Sequence, residues 1–324
     1  MRIAVVGIPG GWSSEALADA VGMATGQRLL VDLDAARLDL AAGSVLCPCP
    51  GIDPGQGPLD LCQLDALLIK KAAPHYSPDM LDRLELLRFV AGRGVPCFSD
   101  PSLILRLVDR LACTVTLSLA GLPLPPTTVT EDLSCALDAV LGYGRAVLKP
   151  LFTSKARGMV LLDAGASGRD AARAALERFQ ASNRVMYIQQ ALDLRGQDLG
   201  VCFLGGEYLG TYARRKDVSP SGGGVSPSAG GGGSWSTSTE SGGRYAAFDP
   251  PQEVIELAAR AQEPFGLDFT CVDVALTDSG PYVFEVSAFG GFRGLKAARG
   301  IDVAGLFTAH VLRRLKEQGR ELQA

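Results

Sequence analysis

The sequence predicts an α/β N-terminal domain followed by two α+β lobes, and three observations carry that prediction. Short apolar strands alternate with helical patterns up to residue 98, a proline step at Pro123-Leu-Pro-Pro126 opens a new unit, and the later strands come in pairs around glycine-containing turns. The units are drawn at 1–98, 99–186 and 187–324, the last holding a Gly/Ser-rich segment at 219–234. A chain of 324 residues, 47% hydrophobic and 20% charged, is long enough to build more than one core.

Within the first unit, the run from Arg2 to Gly7 is a buried-strand pattern, and after Gly10-Gly11 a helix is expected over 13–25 with Ser13 or Ser14 as cap. Further strands are expected at 29–32, 66–69 and 95–98, with a helix over 78–92, which together make βαβ alternation. Lys70 and Lys71 close one of these strands and are read as surface lysines, although a cleft lies within their reach. The Gly7-Ile-Pro-Gly-Gly-Trp12 turn is not the G-x-G-x-x-G of a dinucleotide fold, and no acid is placed to hold a ribose, which argues against a dehydrogenase. The Pro/Gly-rich stretch 47–58 is expected to be an irregular loop.

One helix is expected over 101–120, ended by Gly121. A strand at 146–149 ends in Lys149, a loop at 151–158 carries Thr, Ser, Lys and Arg, and a second strand follows at 159–162; the tip of such a hairpin can close over phosphates. After a helix at 171–180, strands are expected at 185–192, 198–204 and 208–214. Segment 219–234 has too little apolar surface to fix itself and is expected to be a mobile loop over the site or a disordered stretch. A helix over 251–265, strands at 270–276 and 281–287 around a turn at 278–280, and a helix over 303–318 complete the chain.

A net charge of −4 gives no reason to expect nucleic acid or an anionic membrane as partner. The apolar run after Arg2 is too short for a signal peptide, and no stretch approaches the ~20 apolar residues of a spanning helix, so a cytoplasmic protein is expected. The eight cysteines form no C-x-x-C and are expected to be buried free thiols. Only His75 and His310 are present, the latter on a helical pattern as a structural residue, which leaves little room for a Ser-His-Asp device or a histidine-rich zinc site. Chemistry must therefore rest on carboxylates, lysine, arginine and a metal.

Asp273 and Glu285 are isolated acids within runs of Val, Cys and Phe on two strands of one expected hairpin. Ser287 faces the same side as Glu285, since strand side chains alternate. Two carboxylates and a hydroxyl at one point suit Mg²⁺, which phosphoryl-transfer sites hold with one or two carboxylates plus phosphates, and Lys149 supplies positive charge for the same phosphates.

These residues carry a resemblance. The stretches Val147-Leu-Lys-Pro150, Ile188-Gln-Gln-Ala-Leu192 followed by Asp198, Trp235-Ser-Thr-Ser-Thr-Glu-Ser-Gly-Gly243, Val272-Asp-Val and Phe284-Glu-Val-Ser-Ala-Phe-Gly-Gly-Phe-Arg-Gly294, in that order, resemble the ATP-grasp superfamily. The branch is that of the ribosomal-protein (RimK-like) and pterin-cofactor glutamate ligases, and the resemblance runs from about Asp100 to His310. The run after Lys149 and the Glu285–Gly294 stretch also resemble the bacterial GAK-system ATP-grasp subgroup. The resemblance implies two lobes of the ATP-grasp fold, with ATP and Mg²⁺ (or Mn²⁺) bound between them. By position it implies phosphate contacts from Lys149 and Arg110, adenine at the hinge Gln190, Ala191 and Leu192, ribose near Asp198, and metal at Asp273, Glu285 and Ser287. It places Arg214 and Arg293, as catalytic residues, where a positively charged side chain would orient a carboxylate or acyl phosphate. The chain departs from the family pattern at Gln190 for a hinge acid, Ser287 for an asparagine, Gly200 for an arginine, and Ser236 and Ser238 for Arg and Asn.

The implied activity is an ATP-dependent ligase that joins a small-molecule or peptide carboxylate to an amine through an acyl phosphate, with a homo-oligomer allowed. The alternative is a nucleotide-binding regulatory or scaffold protein of the same fold without turnover.

Overall fold

The computed structural model describes residues 1–51, 55, 57–215 and 244–320. The Gly/Ser-rich segment 219–234 and the Trp235–Gly243 stretch, with Ser236 and Ser238, lie outside the described residues.

The first unit builds a parallel sheet from β1 (Ile3–Val6), then α1 (Trp12–Thr25), β2 (Leu30–Val31), β3 (Arg37–Asp39), β4 (Ser44–Cys47), β5 (Leu59–Asp60), β6 (Ala66–Ile69), α2 (Asp79–Gly92) and β7 (Cys97–Phe98). Its order is β2-β1-β6-β7, while β3, β4 and β5 form a small antiparallel sheet beside it. All four residues of β1 are buried because both faces are covered. Ile3 and Val5 join Leu17 and Val21 of α1, while Ala4 and Val6 join Leu84 and Leu87 of α2, as period-two alternation requires. The expected serine cap is absent. Gly11 stands at the N-cap without a side-chain bond, and buried Ser14 instead accepts from the Ile8 N–H at 3.1 Å. Gly26 ends α1 in the left-handed conformation at φ 76°, where its N–H reaches the Gly22 carbonyl.

The helix expected over 101–120 is two helices, α3 (Pro101–Val108) and α4 (Arg110–Leu119). Asp109 between them is extended at φ −89° and ψ 121°, and its carboxylate accepts from the Leu111 N–H at 3.0 Å. An apolar period cannot reveal this break, since both halves bury one stripe. The central lobe continues with β8 (Thr127–Thr130), α5 (Leu133–Tyr143), β9 (Arg145–Lys149), β10 (Val160–Asp163), α6 (Ala164–Gln180) and β11 (Met186–Gln190). Its antiparallel sheet has the order β10-β9-β11-β8. Leu137, Val140, Leu176 and Phe179 of the two helices bury Ala146, Leu148 and Ile188 in a core of their own. α6 starts ahead of the expected position because Gly168, at φ 77°, kinks its first turn away from the later pattern.

The last unit is a five-stranded antiparallel sheet, β14-β13-β12-β15-β16. Its elements are β12 (Gln197–Leu204), β13 (Glu207–Arg215), β14 (Arg244–Ala247), α7 (Gln252–Gln262), β15 (Phe269–Thr277), β16 (Gly280–Ser287), α8 (Arg293–Arg299) and α9 (Val303–Glu317). One face buries Leu199, Val201 and Val272 under Val254, Leu257 and Ala261 of α7. On the other side Phe269, Phe292, Phe307 and Leu315 share one core with Ile3, Val5 and Leu17, so α9 lies against α1. His310 is buried, with Nε2 at 3.2 Å from Asp268. All eight cysteines are free thiols; Cys47, Cys113, Cys202 and Cys271 are buried, whereas Cys135 is exposed, against expectation. Among the described residues no helix is long and apolar enough to cross a membrane.

Candidate active site where the three units meet

The antiparallel register sets Asp273 of β15 directly opposite Glu285 of β16. The register then shifts, Val274 pairing with Val283, so that Phe284 is the extra residue of a bulge. Gly200 of β12 lies beside Asp273, and Asp198 lies opposite Arg214 of β13. Alternation therefore puts Asp198, Arg214, Asp273, Glu285 and Ser287 on one face of the sheet.

Each acid of the hairpin meets an arginine. Arg110, buried at the first position of α4, donates from Nη1 to Glu285 Oε2 at 2.8 Å. Its Nε and Nη2 donate to the carbonyls of Pro150 and Thr153 at 3.2 and 3.3 Å. The break at Asp109 makes this possible, because the Arg110 N–H is free to donate to the Leu151 carbonyl at 3.1 Å rather than to the preceding turn. Arg214 donates to both oxygens of buried Asp198 and lies 3.0 Å from Asp273 Oδ1. Burial, with Glu285 and Asp198 close by, pushes the Asp273 carboxyl up to about 7 against the opposing pull of Arg214. Three carboxylates against two guanidinium groups leave this face short of positive charge.

Lys149 ends β9 on the central lobe. Its Nζ donates to Gln189 Oε1 at 2.5 Å and lies 5.1 Å from the ring of Phe284, the bulged residue. Gln189 donates in turn to Thr127 Oγ1 and the Tyr187 hydroxyl at 3.0 and 3.2 Å, and Tyr187 pairs with Thr114 of α4 at 2.9 Å. A hydrogen-bonded chain thus links Lys149 to the helix that carries Arg110. Burial and the Arg110 charge lower the Lys149 amine to about 7, partly offset by Glu285 and Asp273. Beside the Arg110–Glu285 pair lies a small pocket lined by Tyr76, Arg110, Thr114, Thr153, Glu285 and Ser287. Gln189, Tyr187 and Thr114 were missed in the sequence; the only signal was the i, i+2 spacing of Tyr187 and Gln189 on one strand face.

Of the sequence candidates, the structure gathers Arg110, Lys149, Asp198, Arg214, Asp273, Glu285 and Ser287 here. Gln190 ends β11, and Ala191 and Leu192 begin the crossing toward β12, anchored by the Gln190 N–H to Pro126 O at 2.8 Å and the Ala191 N–H to Arg145 O at 3.0 Å. Arg293 stands apart at the start of α8, its Cζ 5.5 Å from the Trp12 ring. Lys70 is not on the surface. It is buried, donates to the Gly290 carbonyl at 2.8 Å, and is lowered to about 7 by burial and Lys71. Gly200 has a steric reason: a Cβ there would stand 2.4 Å from Tyr212 Cζ, so no arginine fits while that ring is in place.

The donor set suits Mg²⁺. Asp273 and Glu285 are hard oxygen donors in register, on a face crowded with negative charge, and Mg²⁺ fills its octahedron with phosphates and water. Among the described residues no group of three or more His, Cys, Asp or Glu converges on one metal position.

Comparison with solved structures decides the fold. A RimK domain ATP-grasp protein from Sphaerobacter thermophilus superposes with a TM-score of 0.69 at 22% identity, over 96% of this chain and 99% of that one. The ATP-grasp ligase PsnB, complexed with a phosphomimetic variant of its minimal precursor, Mg and ADP, gives 0.69 at 17% identity, over 97% and 98%. The chain has the ATP-grasp fold. No protein-family model matches the sequence. Among curated relatives, this chain is 25% identical over 225 residues to the tetrahydromethanopterin:alpha-L-glutamate ligase of Methanosarcina acetivorans, a match covering 67% of this chain and 65% of that protein. It is 29% identical over 251 residues to a ribosomal protein bS6–L-glutamate ligase of Escherichia coli, covering 76% and 75%. By sequence the chain is thus similar to proteins named as L-glutamate ligases, and by structure to ATP-grasp proteins, a RimK domain protein among them.

Proposed function

We propose that the chain is a cytoplasmic ATP-dependent carboxylate–amine ligase, with the units 1–98, 99–186 and 187–324 arranged around one nucleotide site. The observation that carries the reading is the opposition of Lys149 on the central sheet to the Asp273–Glu285 pair on the last sheet, with Arg110 between them. The names of the relatives, glutamate ligases acting on a pterin cofactor and on a ribosomal protein, support the same chemistry.

In this mechanism Lys149 and Arg110 bind the terminal phosphates of ATP, and Asp273, Glu285 and Ser287 hold the metal. Bound there, Mg²⁺ supplies neutralisation of the phosphate charge. A carboxylate oxygen of the acid substrate attacks the γ-phosphorus, and the bond to the ADP oxygen breaks. The amine then attacks the carbonyl carbon of the acyl phosphate, inorganic phosphate leaves with the bonding pair, and the amine loses a proton. Arg214, fixed by Asp198, faces the negative charge of these species. No side-chain nucleophile is needed, which fits a chain with two histidines.

The test is thermal unfolding with ATP and Mg²⁺, with ATP and chelator, and with NAD, followed by ADP release in acid and amine mixtures. A Mg²⁺-dependent shift, about 2.7 kcal/mol of stabilisation at one hundred times the dissociation constant, is expected and should be lost in Glu285→Gln. If Lys149→Met and Glu285→Gln both leave amine-dependent ADP release unchanged, the mechanism is wrong. The second reading, a nucleotide-binding protein without turnover, draws on Gly200 and Tyr212, which fill the place of a family arginine. It expects nucleotide binding with no ADP formed in any mixture.

A further inference from the structure

The loop between β6 and α2, residues 70–78, belongs to the N-terminal unit and touches both later ones. Lys70 donates to the Gly290 carbonyl at 2.8 Å, and the Tyr76 ring stands edge-on to Phe289 with centroids 6.1 Å apart, so the loop is held against the turn after β16. Within it, Lys71 Nζ donates to the Pro74 carbonyl, and Arg83 Nη1 of α2 donates to the Ala72 carbonyl, each at 3.1 Å. Between the fixed residues Lys70 and Tyr76, His75 meets the central lobe, where Arg157 Nη1 donates to its Nδ1 at 2.6 Å. A guanidinium only donates, so Nδ1 is the unprotonated nitrogen of that ring.

Arg157 stands in the loop between β9 and β10, which follows Lys149 and lines the pocket with Thr153. The tip of this loop is in an unfavourable conformation. Lys155 and Ala156 are both left-handed, at φ 60° and 58°, where any Cβ crowds the backbone. Such a pair persists only where its surroundings hold it. Arg110 Nη2 holds the first arm by donating to the Thr153 carbonyl at 3.3 Å. Arg157 spans the tip, Nε donating to the Ser154 carbonyl and Nη2 to Ser154 Oγ, both at 3.3 Å, while the Thr153 hydroxyl donates across to the Arg157 carbonyl at 2.9 Å. The remaining nitrogen of that guanidinium, Nη1, is the one on His75, so the second arm is tied to the N-terminal unit.

We propose that His75 is a positioning residue: acting through Arg157, it latches the tip of the β9–β10 loop to the N-terminal unit, and the latched loop retains the nucleotide. This rests on the reading that places the ATP phosphates at Lys149 and Arg110. The N-terminal unit thereby sets the residence time of a nucleotide that the other two units bind.

Two readouts on the full chain test it. Limited trypsin digestion of the nucleotide-free protein reports the loop itself, since Lys155 lies at its tip and fragment masses identify cleavage there. Stopped-flow dissociation of ATP labelled with a methylanthraniloyl group, in the presence of Mg²⁺, reports the residence time. His75→Leu should raise the rate of cleavage after Lys155 and the dissociation rate each by about fivefold or more, the scale of one lost hydrogen bond. His75→Asn should restore both, because an amide oxygen can accept where Nδ1 does. On an Arg157→Leu background, His75→Leu should add nothing further, as residues acting as a pair require. The unfolding midpoint should move little, since His75 is exposed, which separates a lost latch from a lost fold. If His75→Leu leaves cleavage and dissociation as in wild type, or its effects add to those of Arg157→Leu, the proposal is overturned while the ligase reading stands on its own ADP release. If His75→Leu loosens the loop and speeds dissociation in a chain that forms no ADP with any acid and amine, the latch is kept and turnover is removed. A wild type that binds no nucleotide overturns both.

Discussion

At the scale of single residues, the site is governed by which charges have partners. Arg110 is buried and touches one carboxylate and two carbonyls, so Arg110→Leu strands Glu285 beside an apolar helix and leaves both carbonyls unmet. Removing one partner of a buried pair costs about 3–5 kcal/mol, which denaturant unfolding should show, while the double variant with Glu285→Leu recovers part of it. Lys149 gives a second expectation. Its amine is lowered to about 7, so at pH 8 it is largely neutral in the free protein, and phosphates bound against it favour the charged form. Nucleotide binding at pH 8 should therefore take up a proton, seen as a dependence of the calorimetric enthalpy on buffer ionisation, and Lys149→Met should abolish it. Asp273 and Glu285 were legible in the sequence as acids inside apolar strands, because a lone buried carboxylate demands a partner. The identity of the partners was not, since Arg110 and Arg214 lie far away along the chain and nothing local distinguishes them from surface arginines.

At the scale of elements, strand pairs and long helices were legible because their periods of two and 3.6 persist over enough residues. The helix over 251–265 and the hairpin carrying Asp273 and Glu285 appear where the pattern puts them, the helix with a 3₁₀ turn at its end. The short strands β3, β4 and β5 were not legible, since two to four residues hold too little pattern. Neither was the break between α3 and α4. Asp109 decides that break by capping α4, and Asp109→Ala should cost about 1 kcal/mol of stability. A larger loss is expected in nucleotide affinity, because the first turn of α4 aims Arg110. Equal fractional losses in stability and affinity across a series at this position would show that the cap has no special tie to the site.

At the scale of the molecule, the sequence divides more cleanly than the packing does. Among the described residues, only the later part of the central lobe, from β8 to β11 with α5 and α6, keeps a core to itself, whereas α3 and α4 join the core of the other units and the N-terminal sheet shares both faces with the last unit. Phe307 packs near Phe269 and Phe292 in that shared core, so Phe307→Ala should cost about 3–5 kcal/mol and lower the cooperative transition of the first and last units together. Lys70 adds a pH dependence. Its amine sits at about 7 in the folded protein against an ordinary 10.5, so between those values the unfolded chain holds a proton that the folded one lacks. Raising the pH through that window favours the folded state, and wild type should gain stability from pH 7 to 10 relative to Lys70→Met. Neither the buried lysine nor the shared core is visible in a local pattern, because both arise from residues that meet only after the chain has come back on itself.

The packing of α9 against α1 also has a consequence in time. The face of the first sheet that carries Ile3 and Val5 cannot be closed by anything that follows it directly, since the side chains that complete it arrive with Phe269, Phe307 and Leu315. During synthesis the opening strand and helix must wait, half covered, until nearly all the described chain has left the ribosome. The part of the central lobe from β8 to β11, closed on itself, is free to fold first.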